Sequence, residues 1–149
     1  MFGKFCYWCG GLRVGNYELG TSLRDVLFEL DRISIYHNSR ASTRFASMPT
    51  KDLFQQLDSA LFSFSAETLQ GLPDKEQWAR HNMCPSVDIF DGWKIFLCDT
   101  NDEAGRLIFS KDPFDGVTEL CLAKHEVDLI LAQTRVELDA TYKSKMRQQ

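Results

Sequence analysis

Four stretches between residues 87 and 122 decide the fold: Val87-Asp88-Ile89-Phe90, Trp93-Lys94-Ile95-Phe96-Leu97-Cys98, Arg106-Leu107-Ile108-Phe109-Ser110 and Val117-Thr118-Glu119-Leu120-Cys121-Leu122. Each is rich in aromatic and branched apolar residues, and each is set off from the next by Asp, Gly or Asn, the residues that tolerate turn geometry. They read as consecutive strands of an antiparallel meander. Downstream, Glu126 to Lys145 carries Val127, Ile130, Leu131, Thr134 and Leu138 on one helical stripe. Glu126 and Asp128 sit in its first turn, where the helix dipole favours anions. A long C-terminal helix is therefore expected to cover one face of the sheet.

Upstream, the aromatic run Lys4 to Cys9 meets Gly10-Gly11, and Leu12 to Leu19 follows with a further break at Gly15-Asn16, which predicts an N-terminal hairpin. Thr21-Ser22 offers caps to a helix from Ser22 to Arg32, with Leu23, Val26, Leu27 and Leu30 at helical spacing. Ile33 to Ser47 has little periodicity and reads as a surface loop, with room for a short strand at Ile33-Ser34-Ile35-Tyr36. Thr50 to Phe62 repeats the helical pattern through Leu53, Phe54, Leu57 and Leu61. Between Gly71-Leu72-Pro73 and Cys84-Pro85 a short helix over Asp74 to Arg80 fits. The expected class is α+β: an antiparallel sheet, made of the N-terminal hairpin plus the C-terminal meander, packed with about three helices. Residues 1–149 contain no internal repeat and no low-complexity linker, so one domain is expected.

Composition narrows the classes. The hydrophobic share of 44% and 11 Phe argue for a chain that folds by itself. No run of eighteen apolar residues is present and the opening Met1-Phe2-Gly3-Lys4 lacks the pattern of a secretory signal, so a soluble protein retained in the cytoplasm is expected, with no membrane partner. Five cysteines form an odd set within apolar surroundings, which suits a reducing compartment and no disulfide framework. A net charge of −4 disfavours nucleic acid as a partner.

That charge is unevenly placed. From Asp88 to Glu119 there are eight acidic residues against three basic ones. In an up-and-down meander alternate turns share an end, so Asp91 falls near Asp112 and Asp115, while Asp99, Asp102 and Glu103 gather at the other end beside the C-terminal helix. Carboxylates in turns are ordinary turn formers; gathered at two poles, they also make a surface complementary to a basic partner, and Asp91, Asp112 and Asp115 are the preferred contact because the other pole lies at a helix start that already favours acidic residues.

Catalytic motifs are missing. Cys6-Tyr7-Trp8-Cys9 has dithiol spacing but lies in a strand rather than at a helix N-terminus, where a thiol would be activated. Together with His81-Asn82-Met83-Cys84 it has the donors of a Cys3His zinc site, yet the second pair lacks a turn glycine and abuts Pro85; no metal and no cofactor are expected. His37, His81 and His125 fall in no HExxH, GxSxG or phosphate-loop context. Gly10-Gly11 and Gly15 are hairpin punctuation, and Arg40 and Arg44 belong to the polar loop. The competing classes are a small hydrolase using a Cys/His pair brought together in space, and an adaptor subunit.

The run Asp91-Gly92-Trp93-Lys94-Ile95-Phe96-Leu97, then Arg106-Leu107-Ile108-Phe109-Ser110, then Thr118-Glu119-Leu120 and a helix with Val127-Asp128-Leu129-Ile130 resembles the C-terminal half of small bacterial immunity proteins that accompany polymorphic toxins, including those of contact-dependent growth inhibition. Phe2-Gly3 and Gly15-Asn16-Tyr17-Glu18 are compatible with it. The resemblance implies a cytoplasmic protein that binds and neutralises one cognate toxin domain, a nuclease among the possibilities, and it carries no catalytic residues across.

Overall fold

The computed structural model describes residues 1–63, 77–100, 102–112 and 116–147. Its centre is a three-stranded antiparallel sheet in the order β5-β6-β7, where β5 is Lys94–Asp99, β6 is Ala104–Ser110 and β7 is Thr118–Ala123. The register sets Phe96 opposite Ile108 and Leu107 opposite Leu120. At the N-terminus, β1 (Phe2–Gly3) pairs with β4 (Thr21–Ser22), and between them β2 (Tyr7–Cys9) and β3 (Leu12–Val14) form the expected hairpin. Its turn needs glycine twice, because Gly10 and Gly11 have φ of 58° and 81°. A Cβ at Gly10 would also lie 2.7 Å from Leu120 Cδ2, so the turn seats directly on β7.

Helix α1 (Leu23–Ser34) is capped by Ser22, whose Oγ accepts from the Asp25 N–H at 3.3 Å, and it buries Val26, Leu30 and Ile33. The short strand allowed for at Ile33–Tyr36 does not form. Ile33 extends the buried stripe of α1 by one turn, and the chain leaves it through the turn bonds Tyr36 N–H to Ile33 O and His37 N–H to Ser34 O. The following loop contains a single helical turn, α2 (Thr43–Ala46), and then α3 (Thr50–Phe62). The helix expected over 74–80 lies partly outside the described residues; Trp78–His81 is a 3₁₀ turn. Helix α4 spans Glu126–Arg147 and packs on α1, where Arg135 pairs with Asp31.

Two expectations about the sheet need correction. The stretch Val87–Phe90 is not a fourth strand: Asp88–Phe90 is a 3₁₀ turn, with the Phe90 N–H bonded to Val87 O at 2.9 Å. The β5 edge it would have joined is already taken. Met83 N–H donates to Ile95 O at 2.9 Å, Asp99 N–H donates to Arg40 O at 3.0 Å, and Ser42 N–H donates to Asp99 O at 3.2 Å. Phe90 turns instead toward Phe5 and Tyr7, its ring centroid 4.9 Å from that of Tyr7.

The second correction concerns layering. The sheet is covered on both faces rather than one. Ile95, Leu97, Leu107 and Phe109 meet α1, α4 and the hairpin; Phe96, Cys98 and Ile108 meet Phe45 of α2 and Leu53, Phe54 and Leu57 of α3. Both phases of the strand alternation are therefore apolar, which is why β5 and β6 read as unbroken hydrophobic runs. Trp93 and Phe96 point to opposite layers: Trp93 is half-buried against Phe109, and Phe96 is fully buried against Phe54 with ring centroids 5.3 Å apart.

Candidate interaction surface

The turns of the sheet place the predicted carboxylates at two ends. At one, Asp91 follows the 3₁₀ turn and Asp112 follows β6, both exposed; Asp115 lies outside the described residues. This end is electrically mixed, since an open recess there is lined by Arg13 and Lys111 as well as Asp112, Trp93 and Thr118. At the other end Asp102 and Glu103 are exposed in the β5–β6 turn, where Glu103 takes a left-handed φ of 59° and Lys124 Nζ approaches its carboxylate to 4.0 Å.

Asp99, assigned to the same end, is 2% exposed and is not presented to a partner. Its backbone clasps residues 40–42, and its Oδ2 lies 3.9 Å from His125 Nδ1. Burial pushes its carboxyl above the usual range, and the nearby His125 pulls the other way.

Two arginines whose roles the sequence did not disclose hold the layers around these turns. Arg40, expected in a surface loop, is fully buried: Nε donates to Arg80 O at 2.7 Å, Nη2 to Ile33 O at 2.8 Å and Nη1 to Asp128 Oδ1 at 2.5 Å. It thereby satisfies a carbonyl of the last turn of α1 and ties that helix to the first turn of α4. Arg106 reaches across the sheet surface to Glu119, with Nε to Oε1 at 2.6 Å and Nη2 to Oε2 at 3.0 Å. Its Nη1 donates to Phe45 O at 2.6 Å and Met48 O at 2.8 Å. Thr50 donates to the same carboxylate. A lone cation in the apolar strand Arg106–Ser110 is the signal that marks such a staple; Arg40, in a polar segment, leaves none.

The residues considered for chemistry are engaged otherwise. His81 and Cys98 do meet, with Sγ 3.4 Å from Nδ1, but both are fully buried. His81 Nδ1 lies 2.9 Å from Leu97 O and Nε2 accepts from Arg80 Nε at 3.1 Å, a pattern that assigns the neutral Nδ1–H tautomer and leaves no nitrogen free to take the thiol proton. Buried Cys9 and half-buried Cys84 have thiol pKa pushed up to about 11 and about 12, mainly by desolvation. Among the described residues no three His, Cys, Asp or Glu side chains are arranged to hold a metal ion.

The sequence of residues 1–137 matches the family described as Immunity protein 42. The chain belongs to that family. Its function is accordingly that of an immunity protein, the neutralisation of a toxin. The fold is similar to that of CdiI from Burkholderia dolosa AUO158, a solved structure, with a TM-score of 0.70 and 21% identity over 91% of this chain and 83% of that one. No curated protein matches at a significant level.

This immunity protein carries one further surface feature. A groove of about 360 Å³ lies between the N-terminal hairpin, the sheet and α4, floored by Leu120 and Leu122 and walled by Trp8, Gly10, Val127 and Ile130. Trp8 is 69% exposed and Ile130 56%, so the groove is open and apolar at its rim. No helix among the described residues is long and apolar enough to cross a membrane.

Proposed function

We propose that this immunity protein acts in the cytoplasm as a stoichiometric binder with no catalytic step of its own, and that exposed carboxylates at the ends of its sheet meet a basic surface on the cognate toxin domain. The observation that carries the reading is the pair Asp102 and Glu103, both exposed in the turn between β5 and β6. Asp91 and Asp112 form the second acidic contribution, to which Asp115 is assigned by sequence alone; it is weaker because Arg13 and Lys111 share the recess beside Asp112. Five free thiols suit a reducing compartment, and the burial of His81 and Cys98 favours binding over hydrolysis.

Charge acts mainly on association, and it is screened by salt. Reversing Asp102 and Glu103 to Lys is expected to slow association with the cognate toxin domain, identified by pull-down, and to flatten its salt dependence, leaving thermal unfolding unchanged. The same reversal at Asp91 and Asp112 is expected to do less. Unaltered rates and salt slopes in both double variants would return all four carboxylates to turn formation.

A further inference from the structure

The two edges of the central sheet are treated differently. On β5 the outward backbone groups sit at Ile95, Leu97 and Asp99, and partners occupy them: Met83 N–H on Ile95 O, the His81 ring on Leu97 O, and residues 40 and 42 on Asp99. It follows from the register that Phe96 and Cys98 bond inward to Ile108 and Arg106. Leu107 and Phe109 of β6 then face β7, where they meet Leu120 and Thr118. Glu119, Cys121 and Ala123 therefore point their N–H and C=O groups away from the sheet. The Ala123 N–H confirms this direction independently, since it donates to Glu126 Oε2 at 3.0 Å. At Glu119 and Cys121 both groups lack a partner among the described residues.

Open edges are usually blunted by proline, a bulge or outward charge. None of these protects Thr118–Ala123, whose one charged side chain, Glu119, is held by Arg106 and Thr50. Beside the edge lies the apolar groove over Leu120 and Leu122. We propose that the outward edge of β7, from Glu119 to Ala123, is the docking strand for an extended segment of the toxin, which joins the sheet as a fourth strand. The inference rests on the reading of a protein toxin as partner. Opposite Glu119 and Cys121 the segment exchanges four backbone hydrogen bonds, and its alternate side chains enter the groove, so they are apolar.

The immunity function of the family selects a toxin over a second copy of the chain as the occupant, and the charge at one end of the edge suits it. The edge ends near Asp112 on one side, and near Asp102 and Glu103 on the other, where Lys124 N–H donates to Glu103 O. A toxin segment carrying Lys or Arg beside Asp102 and Glu103 is complementary.

Amide hydrogen exchange on the full chain tests this, alone and with an equimolar amount of the inactivated cognate toxin domain identified by pull-down. The Glu119 and Cys121 amides should exchange fast in the free chain and slow by at least about tenfold in the complex, while Leu120 and Leu122 are slow in both. A complex that leaves Glu119 and Cys121 fast would overturn the docking strand and spare the toxin-binding reading. Absence of any complex would overturn the reading itself. Protection of these amides in a toxin-free dimer would assign the edge to a second copy. Cys121→Pro removes only an outward N–H, which edge strands tolerate. It should weaken binding at least about tenfold relative to Cys121→Ala at an unchanged thermal midpoint, and wild-type affinity in it would contradict the proposal. Should that variant fail to fold, the exchange result decides.

Discussion

Replacing Arg106 by Met removes the guanidinium that joins β6, β7 and the chain between α2 and α3. Four carbonyl or carboxylate acceptors lose a charged donor: Phe45 O, Ala46 O, Met48 O and Glu119, the last bonded twice. Taking one partner from a buried ion pair costs about 3–5 kcal/mol. Glu119 keeps 24% of its side chain in water, which argues for the lower end, about 3 kcal/mol, or roughly 6–12 °C in melting temperature for a chain of this size. The loss depends on pH in a defined direction. The Arg106 hydrogen bonds hold the Glu119 carboxyl below its usual range, with Thr50 adding to the effect and burial opposing it. A lowered folded pKa contributes stability above the unfolded value, near about 4.3, and that stability disappears as pH falls through the folded one. Urea unfolding of wild type and variant at pH 7 and pH 3 should therefore show a gap that narrows in acid. A gap under about 1 kcal/mol at pH 7, or one that is the same at pH 3, would refute the staple.

Phe96→Ala should cost about 3–5 kcal/mol because the ring is fully enclosed between α3 and the sheet, and half-buried Trp93→Ala should cost less; equal losses by urea titration would contradict the two-layer arrangement. Asp99→Asn should gain stability relative to wild type as pH rises from 4 to 7, since a carboxyl raised by burial favours folding only while protonated, below the unfolded value near about 3.9. A clear loss at pH 7 would mean that the attraction of His125 outweighs burial. A chelator should leave the thermal midpoint unchanged, and stoichiometric zinc in the purified protein would reverse the assignment of Cys6, Cys9, His81 and Cys84.

Local signals in the sequence were sufficient where the chain decides its own structure. Gly10-Gly11 specifies a two-residue hairpin turn, and Val26 and Leu30 mark the buried stripe of α1. Where competition between segments decides, they were not. Val87–Phe90 has strand composition, yet residues 40–42 and 81–83 occupy the edge it needed, and nothing in its four residues records that rivalry. The second helical layer was implicit in the apolar character of both phases of β5, a pattern that alternation read for one face overlooks. Among the candidate contact residues, Asp99 shows the limit of a turn-based argument. It ends a strand as Asp102 and Glu103 begin the next turn, but only the tertiary bonds to Arg40 and Ser42 draw it inside.

Under the proposed function, protection comes from one-to-one binding. The direct measurement is a titration of toxin activity with increasing amounts of this chain at a toxin concentration well above the dissociation constant. Stoichiometric binding predicts residual activity that falls in a straight line to zero at equimolar chain, with the toxin recovered at unchanged mass. Loss of all activity at a small fraction of an equivalent, or full activity at a molar excess, would contradict it.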